Sequence, residues 1–267
     1  MSNSNSKRPI GVFDSGMGGL TVLKELQGIL PYENYIYVAD SLNLPYGDKT
    51  EEQIIQFTQR IMNWFEQQDV KMVVLACHTS SAIAHTSLIQ NASFPILCSI
   101  TPIAEHFKNE SRHIGVMATQ RTIQSKVFEK YLLSHNNDHK LVSLACPEFV
   151  PLIEAQKIDT IESSFIVQRY LNKFLACNVE TLVFGCTHYP FLKKMLKKLL
   201  PENSFLTFED PGFYLALKTV EILETLNLKN NESNGGIKFY VSQAPDVFAQ
   251  KIKFALDINA NVNLVKA

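Results

Sequence analysis

Short apolar runs rich in β-branched and aromatic residues alternate along this chain with longer segments whose apolar positions follow a helical spacing. Most of the short runs are continuously apolar, which is typical of parallel strands covered on both faces. The predicted strands are residues 8–14, 34–40, 71–77, 94–100, 112–118, 140–146, 181–186, 204–210 and 237–243. Regular alternation of such strands with helices predicts an α/β protein with doubly wound, mainly parallel sheets.

A coarse repeat runs through this pattern. The segment IGVFDS at residues 10–15 is similar to IGVMAT at residues 114–119, and each opens a series of strands and helices that ends in a cysteine. Those cysteines are Cys77 and Cys186, and the repeat favours a duplicated architecture. Residues 211–267 lie outside it, with a predicted helix, the strand IKFYVSQ and a final helix. The sequence alone does not assign them to either half.

Polar clusters follow four of the predicted strands. They are Asp14 with Ser15 and Gly16, Cys77 with His78 and Thr79, Thr119 with Thr122, and Cys186 with Thr187 and His188. Open α/β sheets bind ligands outside the carboxyl ends of their strands, so these clusters are the candidate site. Each also precedes a predicted helix, whose free backbone N–H groups and dipole attract anions and favour a thiolate over a thiol. Two cysteines that face one anion site would be two activated bases.

Several of these features also have structural explanations. Asp14 could cap the helix that follows it. The glycines of residues 16–19, GMGG, hint at a nucleotide loop, but the GxGxxG pattern is incomplete and no Walker lysine follows. The other cysteines are interpreted as small core residues: Cys98, Cys146 and Cys177. Cys77 and Cys186 differ, because both run directly into threonine and histidine, which a core does not need.

Two other chemistries remain open. Cys77, His78, Cys186 and His188 include both common ligand types of a zinc site. However, no C-x-x-C occurs, and adjacent residues rarely both reach one ion. A Cys–His hydrolase would pair a cysteine nucleophile with a histidine base. Such an enzyme needs one cysteine, whereas each half of this chain supplies its own.

Composition and charge narrow the function classes. A net charge of −1 and a sequence pI of about 6.7 give no electrostatic reason to expect nucleic acid or a membrane surface as a partner. The basic run at residues 191–200, FLKKMLKKLL, has the spacing of a helix with a solvated lysine face. No apolar run approaches the roughly 18 residues of a membrane span. With five cysteines and no signal peptide, a reduced cytoplasmic protein is expected.

Six segments together resemble the ordered motifs of a known family. They are DSGMGGLTVLKEL (14–26), NLPYGDKT (43–50), ACHTSSA (76–82), VMATQRTIQS (116–125), FVPLIE (149–154) and FGCTHYP (184–190). Their order and spacing are similar to those of the cofactor-independent aspartate/glutamate racemase superfamily, over roughly residues 8–215. The sequence GCTHYP is typical of the glutamate racemase branch.

The resemblance implies the architecture and the activity. It implies two pseudo-symmetric Rossmann-like domains with the active site in the cleft between them. One domain would comprise residues 1–98 plus 211–267, and the other residues 99–210. The expected reaction interconverts L- and D-glutamate without a metal or any other cofactor and supplies D-glutamate for peptidoglycan. The expected partners are this small-molecule substrate and a second copy of the chain in a homodimer.

The resemblance also implies residue roles. Cys77 would act on D-glutamate with assistance from Asp14, and Cys186 would act on L-glutamate. Glu154 and His188 would assist on the Cys186 side. The implied substrate-binding residues are Asp14, Ser15, Pro45, Tyr46, Gly47, Cys77, His78, Thr79, Thr119, Thr122, Cys186, Thr187 and His188. Dense hydrogen bonding of this kind suits a reaction in which a very weakly acidic α-proton leaves without a cofactor to spread the charge.

Two segments depart from the family pattern. His78 stands where the family usually has asparagine. The imidazole could hydrogen-bond the substrate as the amide does, carry a charge that favours the Cys77 thiolate, or crowd the pocket. Residues 242–246, SQAPD, replace a segment that usually reads like TSGD. Two alternatives therefore stay open: a superfamily racemase with another substrate such as aspartate, and a weakly active or non-catalytic paralogue that binds an amino acid or a protein partner.

Overall fold

Two parallel sheets organise the chain. The computed structural model describes residues 4–109, 111–232 and 235–265. In these ranges the strands are β1 (Ile10–Asp14), β2 (Tyr35–Ala39), β3 (Met72–Leu75), β4 (Ile96–Cys98), β5 (His113–Ala118), β6 (Lys140–Ala145), β7 (Thr181–Gly185), β8 (Thr207–Glu209), β9 (Ile237–Val241) and β10 (Val262–Leu264). The first sheet has the order β10-β9-β2-β1-β3-β4 and the second the order β6-β5-β7-β8. The predicted α/β class with mainly parallel sheets is confirmed.

Helices connect these strands. In chain order they are α1 (Leu20–Ile29), α2 (Glu51–Gln67), α3 (His78–Ile83), α4 (His85–Ile89), α5 (Thr101–His106), α6 (Gln120–Gln124), α7 (Val127–His135), α8 (Phe149–Glu154), α9 (Ile161–Ala176), α10 (Lys193–Leu199), α11 (Pro211–Thr225) and α12 (Pro245–Leu256). Short 3-10 turns occupy Ser4–Lys7, Tyr46–Asp48 and Tyr189–Leu192. None of the helices in the described ranges has the length and apolar character needed to cross a bilayer.

The duplication inferred from the sequence is visible in the strand order. β1 lies between β2 and β3, and β5 lies between β6 and β7 in the same arrangement. Val12 is in register with Tyr37 and Val74, whereas Val116 is in register with Ser143 and Val183. The two similar segments thus form the central strands of the two sheets. Their burial between neighbouring strands and covering helices explains why they are continuously apolar.

The C-terminal segment returns to the first sheet. β9 pairs with β2, and β10 pairs with β9, so both extend the edge of that sheet.

All nine predicted strands are confirmed, and β10 is the strand that the sequence pattern missed. The proposed domain limits, residues 1–98 plus 211–267 and residues 99–210, stay a prediction that this strand membership supports.

Local signals explain several element boundaries. Residues 50–53, TEEQ, have the sequence pattern of a capping box, and one opens α2: the Thr50 side chain accepts from the Gln53 N–H at 3.2 Å and the Gln53 side chain accepts from the Thr50 N–H at 3.0 Å. The lysine-rich run forms α10, which buries Leu196 and exposes Lys197 and Lys198, as its spacing predicted.

Apolar packing joins the two halves: Met17 beside α1 and Ile153 in α8 belong to one buried cluster.

A buried ion pair links distant segments of the half built on the first sheet. The side chains of Lys71 and Glu33 are fully buried and form a salt bridge. Lys71 Nζ also donates to the carbonyl oxygens of Ser6 (2.6 Å) and Leu228 (2.8 Å), and Glu33 accepts from the Asn230 N–H at 2.8 Å. This network links the start of the chain, the loop before β2 and the segment after α11.

We expect Lys71→Met to destabilise the protein by about 3–5 kcal/mol, because it leaves the Glu33 carboxylate buried without its cation. The measurement is the free energy of unfolding in urea. Adding Glu33→Gln should recover part of the loss. Lys7→Met is the control, because Lys7 pairs with Glu232 at 3.6 Å on the surface and should change stability by no more than about 1 kcal/mol. A Lys71→Met protein as stable as the control would contradict this assignment.

Candidate active site

The carboxyl ends of the central strands meet at one cavity of about 20 Å³ between the two halves. Its lining residues are Ser15, Leu44, Pro45, Tyr46, Gly47, Cys77, His78, Thr79, Thr119, Val150, Cys186, Thr187 and His188. Most of the predicted substrate-binding residues are therefore brought together. Asp14, Thr122 and Glu154 are not part of the wall and contact lining residues from behind. The cavity volume corresponds to about one water molecule.

Cys186 begins a chain of polar contacts that crosses from one half to the other. Its Sγ lies 3.7 Å from His188 Nδ1, and His188 Nε2 lies 2.7 Å from Glu154 Oε1. The same carboxylate oxygen accepts from the Met17 N–H at 2.9 Å, and Glu154 Oε2 pairs with Lys251 Nζ at 2.5 Å. Glu154 belongs to α8, whereas Met17 and Lys251 belong to the half built on the first sheet.

These contacts fix the charges on the Cys186 side. Burial opposes ionisation of Glu154, but hydrogen bonds and charges from His188 and Lys251 hold the pKa of Glu154 down to about 2. Burial also opposes protonation of His188, yet its contacts with Cys186 and Glu154 raise the pKa of His188 well above its usual range. An ionised carboxylate and an imidazolium therefore lie next to Cys186 near neutral pH.

The Cys77 side has the opposite electrostatics. Cys77 is 4% exposed, and its Sγ lies 3.7 Å from Ser15 Oγ. Burial, together with the nearby charge of Asp14, raises the pKa of the Cys77 thiol to about 12. Burial also raises the pKa of Asp14, against the opposing effects of His188 and of hydrogen bonds from Gly16 and Thr187. Cys77 is therefore a protonated thiol at neutral pH.

The glycine-rich segment permits this close approach of the two halves. A Cβ on Gly16 would lie 2.3 Å from Glu154 Oε1, and a Cβ on Gly18 would lie 2.4 Å from His188 Nδ1. Side chains at these positions would displace the polar chain just described. Contact with the second half thus accounts for Gly16 and Gly18 in the segment of residues 16–19, which the sequence had also allowed as a nucleotide loop.

Asp14 joins the two halves and does not cap a helix. Its Oδ1 accepts from the Gly16 N–H at 2.8 Å, and its Oδ2 accepts from the Thr187 hydroxyl at 2.9 Å. The helix α1 begins only at Leu20, with Gly19 as its N-cap residue. The capping explanation for Asp14 is therefore wrong.

Three threonine hydroxyls form a cluster, of which Thr79 and Thr119 line the cavity. The Thr79 and Thr119 Oγ1 atoms are 2.9 Å apart, those of Thr119 and Thr122 are 3.0 Å apart, and those of Thr79 and Thr122 are 3.3 Å apart. Thr79 is in α3 and Thr119 caps α6, so this cluster also spans the two halves.

Only two of the four polar clusters lie at the start of an α-helix. Cys77 and Thr119 are the N-cap residues of α3 and α6. Residues 14–16 precede a turn that delays α1, and residues 186–188 precede the 3-10 turn Tyr189–Leu192. The prediction of a helix N-terminus was wrong for residues 14–16, because α1 begins only at Leu20. His188 is the N-cap residue of the short 3-10 helix Tyr189–Leu192, so the cluster of residues 186–188 precedes a 3-10 helix and not an α-helix.

His78 is buried and neutral. It is 3% exposed, its ring stacks on that of Phe128 with centroids 6.1 Å apart, and neither ring nitrogen has a hydrogen-bond partner among the described residues. Burial lowers the pKa of His78 to about 3. The hypothesis of a charged His78 that favours the Cys77 thiolate is therefore wrong. Hydrogen bonding to a substrate and crowding of the pocket stay predictions.

The remaining cysteines divide into two groups. Cys98 and Cys146 are buried, as predicted for core residues, but Cys177 is exposed. Cys177 ends α9 at its C-cap, where the helix meets solvent, so its predicted burial is wrong. Within the described ranges, no group of three His, Cys, Asp or Glu side chains is placed to share a metal ion.

Sequence reasoning missed Lys251. It lies in α12, outside the six family motifs and two residues before the exposed Lys253. No pattern distinguished it, because its partner Glu154 is 97 residues away in the chain. Leu44 and Val150 were also missed, although both lie inside or beside the motifs that supplied neighbouring wall residues.

Comparison of the chain with known proteins identifies its family. A family model described as Asp/Glu/hydantoin racemase matches residues 20–204. A glutamate racemase of Picosynechococcus sp. is 43% identical over 250 residues, which cover 94% of this chain and 89% of that relative. The chain therefore belongs to the Asp/Glu/hydantoin racemase family.

Solved structures place the similarity within the family. A glutamate racemase isoform from Bacillus anthracis has a TM-score of 0.92 at 30% identity, and the match covers 98% of both chains. The Francisella tularensis glutamate racemase, solved in complex with D-glutamate, has a TM-score of 0.91 at 32% identity with the same coverage. An aspartate racemase homologue from Pyrococcus horikoshii shares the fold with a TM-score of 0.57 at 15% identity, covering 81% of this chain and 99% of that chain. Glutamate racemases are therefore much nearer relatives than aspartate racemases.

The two cavity histidines should differ in charge when observed by 15N NMR of histidine-labelled protein. We expect His78 to stay neutral down to pH 5, because burial lowers its pKa to about 3. We expect His188 to stay protonated through pH 7.5, because Cys186 and Glu154 raise its pKa. His78→Asn and His188→Asn variants assign the two signals. Titration of either ring near pH 6.5 would contradict this description of the site.

Proposed function

We propose that this protein is a glutamate racemase that transfers protons between its two cavity cysteines and the α-carbon of glutamate, without a cofactor. One observation carries the proposal: Cys77 follows β3 and Cys186 follows β7, which are equivalent strands of the duplicated fold, and both line the same cavity. Racemisation needs an acid and a base on opposite faces of one carbon. The similarity to glutamate racemases, described above, supports glutamate as the substrate.

The reaction begins on the Cys186 side when L-glutamate is bound. The Cys186 thiolate, stabilised by the His188 imidazolium, takes the α-proton, so an S–H bond forms as the C–H bond breaks. The electron pair stays on the carbanion. The Cys77 thiol then gives its proton to the opposite face, which produces D-glutamate and leaves Cys77 as the thiolate. The reverse reaction starts from Cys77 and uses the same groups in the opposite order.

The assisting residues follow from their contacts. Glu154 orients the His188 ring and stays ionised, because its pKa is lowered to about 2. Asp14 assists Cys77, because the Asp14 charge raises the pKa of the Cys77 thiol and so favours its protonated form. With Cys77 protonated and an imidazolium beside Cys186, the resting protein has the proton arrangement needed to accept L-glutamate.

Substrate binding uses the remaining cavity wall. The hydroxyl cluster of Thr79, Thr119 and Thr122, together with Ser15 and Thr187, offers hydrogen bonds to the carboxylates and the ammonium group. Neutral His78 adds one donor and one acceptor. Pro45, Tyr46 and Gly47 complete the wall. The Tyr46 hydroxyl donates to Asp40 at 2.6 Å, so Tyr46 contributes its ring and backbone.

Entry of glutamate requires the walls to separate. A cavity with room for about one water molecule does not hold glutamate. The walls come from both halves, so movement of one half relative to the other would open the site, and closure would exclude water. Exclusion of water strengthens the electrostatic interactions that stabilise the carbanion.

The cellular role follows from the same proposal. Both thiols must stay reduced to act, which supports a cytoplasmic location. The product D-glutamate would serve peptidoglycan synthesis and thereby the cell wall and cell shape. A homodimer stays a prediction, as does the absence of nucleic acid and membrane partners.

The first test is racemisation by the purified protein. We expect conversion of L-glutamate to D-glutamate without any added cofactor, and no conversion of L-aspartate, measured by chiral chromatography. Cys77→Ala and Cys186→Ala should each lower turnover by at least about 10³-fold, because each removes one acid–base group.

Cys177→Ala is the matched control, since Cys177 is exposed and outside the cavity, and it should keep full activity. Inversion of aspartate but not of glutamate would favour the other substrate. No inversion of any amino acid would favour a binding protein. Turnover retained by either cavity variant would refute the two-thiol assignment.

A further inference from the structure

Lys251 is the one residue of the C-terminal helix α12 that contacts the polar chain of the site. Its side chain is 17% exposed, and its Nζ lies 2.5 Å from Glu154 Oε2, which is itself 10% exposed as a side chain. The helix belongs to the segment outside the duplicated unit, so the second half of the repeat has no equivalent of it. The Cys186 side of the cavity therefore has a partner that the duplication alone does not provide.

The two oxygens of Glu154 have separate partners. Oε1 accepts from the Met17 N–H at 2.9 Å and faces His188 Nε2 at 2.7 Å. Oε2 pairs with Lys251. A carboxylate held on both oxygens cannot rotate away from the histidine without breaking the ion pair. Two of these three contacts come from the half opposite to α8, so the carboxylate is oriented only when the two halves are in contact.

The charges of these groups also indicate that Lys251 affects Cys186. Lys251 and the His188 imidazolium are cations, whereas Glu154 and a Cys186 thiolate are anions, so the charges of the four groups balance. Removal of Lys251 would leave a net negative charge in a region shielded from water. Such a region disfavours a second anion and therefore disfavours the thiolate.

We propose that Lys251 is a positioning residue for racemisation, which acts from the C-terminal helix by holding Glu154 against His188 and thereby maintains the Cys186 thiolate. This inference rests on the proposed function. The proposal gives a role in the site to helix α12, which contains none of the family motifs.

The predicted effect concerns the pH profile of kcat/KM. Other titratable groups near the chain are Asp14 in β1, Tyr37 in β2, Cys77 after β3, Cys146 after β6 and Tyr189 in the 3-10 turn. They are unchanged in a Lys251 variant. In a general acid–base reaction, kcat/KM rises with pH on the acid side as the group that accepts the α-proton is deprotonated. Loss of the cation should move this rise to higher pH.

We expect Lys251→Met to lower kcat/KM at neutral pH at least tenfold and to shift its acid limb upward by about one pH unit. The two enantiomers have equal free energies, so kcat/KM must fall equally in both directions. Lys251→Arg should restore most of the activity and the original profile. Lys253→Met is the matched control on the same helix, because Lys253 pairs with Asp257 at the surface and should change neither quantity.

A second measurement does not depend on activity. In 15N-histidine-labelled protein, Lys251→Met should move the His188 ring signals, whereas Lys253→Met should not. Urea unfolding gives the folded fraction to which every rate is normalised. A wild-type pH profile and unmoved His188 signals in Lys251→Met would overturn the proposal. Moved signals in a protein without racemase activity would instead refute the proposed function and retain the Lys251–Glu154–His188 contact.

Discussion

The arrangement of the site depends on the largely buried carboxylate of Glu154 and its contacts. This carboxylate is supplied by one half of the molecule and held by Met17 and Lys251 of the other half. A buried carboxylate is costly unless it is paired and hydrogen-bonded, and this one has three donors. Its negative charge keeps His188 protonated, and His188 in turn lies against Cys186. Contact between the halves therefore sets the chemistry of one thiol.

The duplicated fold produces two similar walls with different electrostatics. Cys77 and Cys186 follow equivalent strands, but Cys77 lies near the Asp14 charge and Cys186 lies beside an imidazolium. Burial raises the pKa of the Cys77 thiol to about 12. One thiol is thus protonated while its counterpart has a cation to stabilise its thiolate. A reaction that removes a proton from one face and adds one to the other requires this difference, which geometric symmetry alone would not give.

The sequence predicted those features whose causes are local. Continuous apolar runs identified nine strands, and a threonine and a glutamine three residues apart identified the start of α2. Cys77 and Cys186 were found because threonine and histidine follow them. β10 has three residues, mostly exposed, so it has no apolar pattern. Lys251, the exposure of Cys177 and the neutral state of His78 depend on packing between distant segments, and no local pattern encodes them.

If two thiols act on opposite faces of one carbon, as proposed, the position of deuterium after a first turnover in D2O distinguishes this mechanism from one that uses a single base. L-glutamate is mixed with excess protein in D2O and quenched at early times, and both enantiomers are examined by chiral separation and mass spectrometry. We expect deuterium at the α-carbon of all D-glutamate formed and none in the remaining L-glutamate. Deuterium that enters both enantiomers at the same rate would show that a single group removes and returns the proton, and would contradict the two-thiol mechanism.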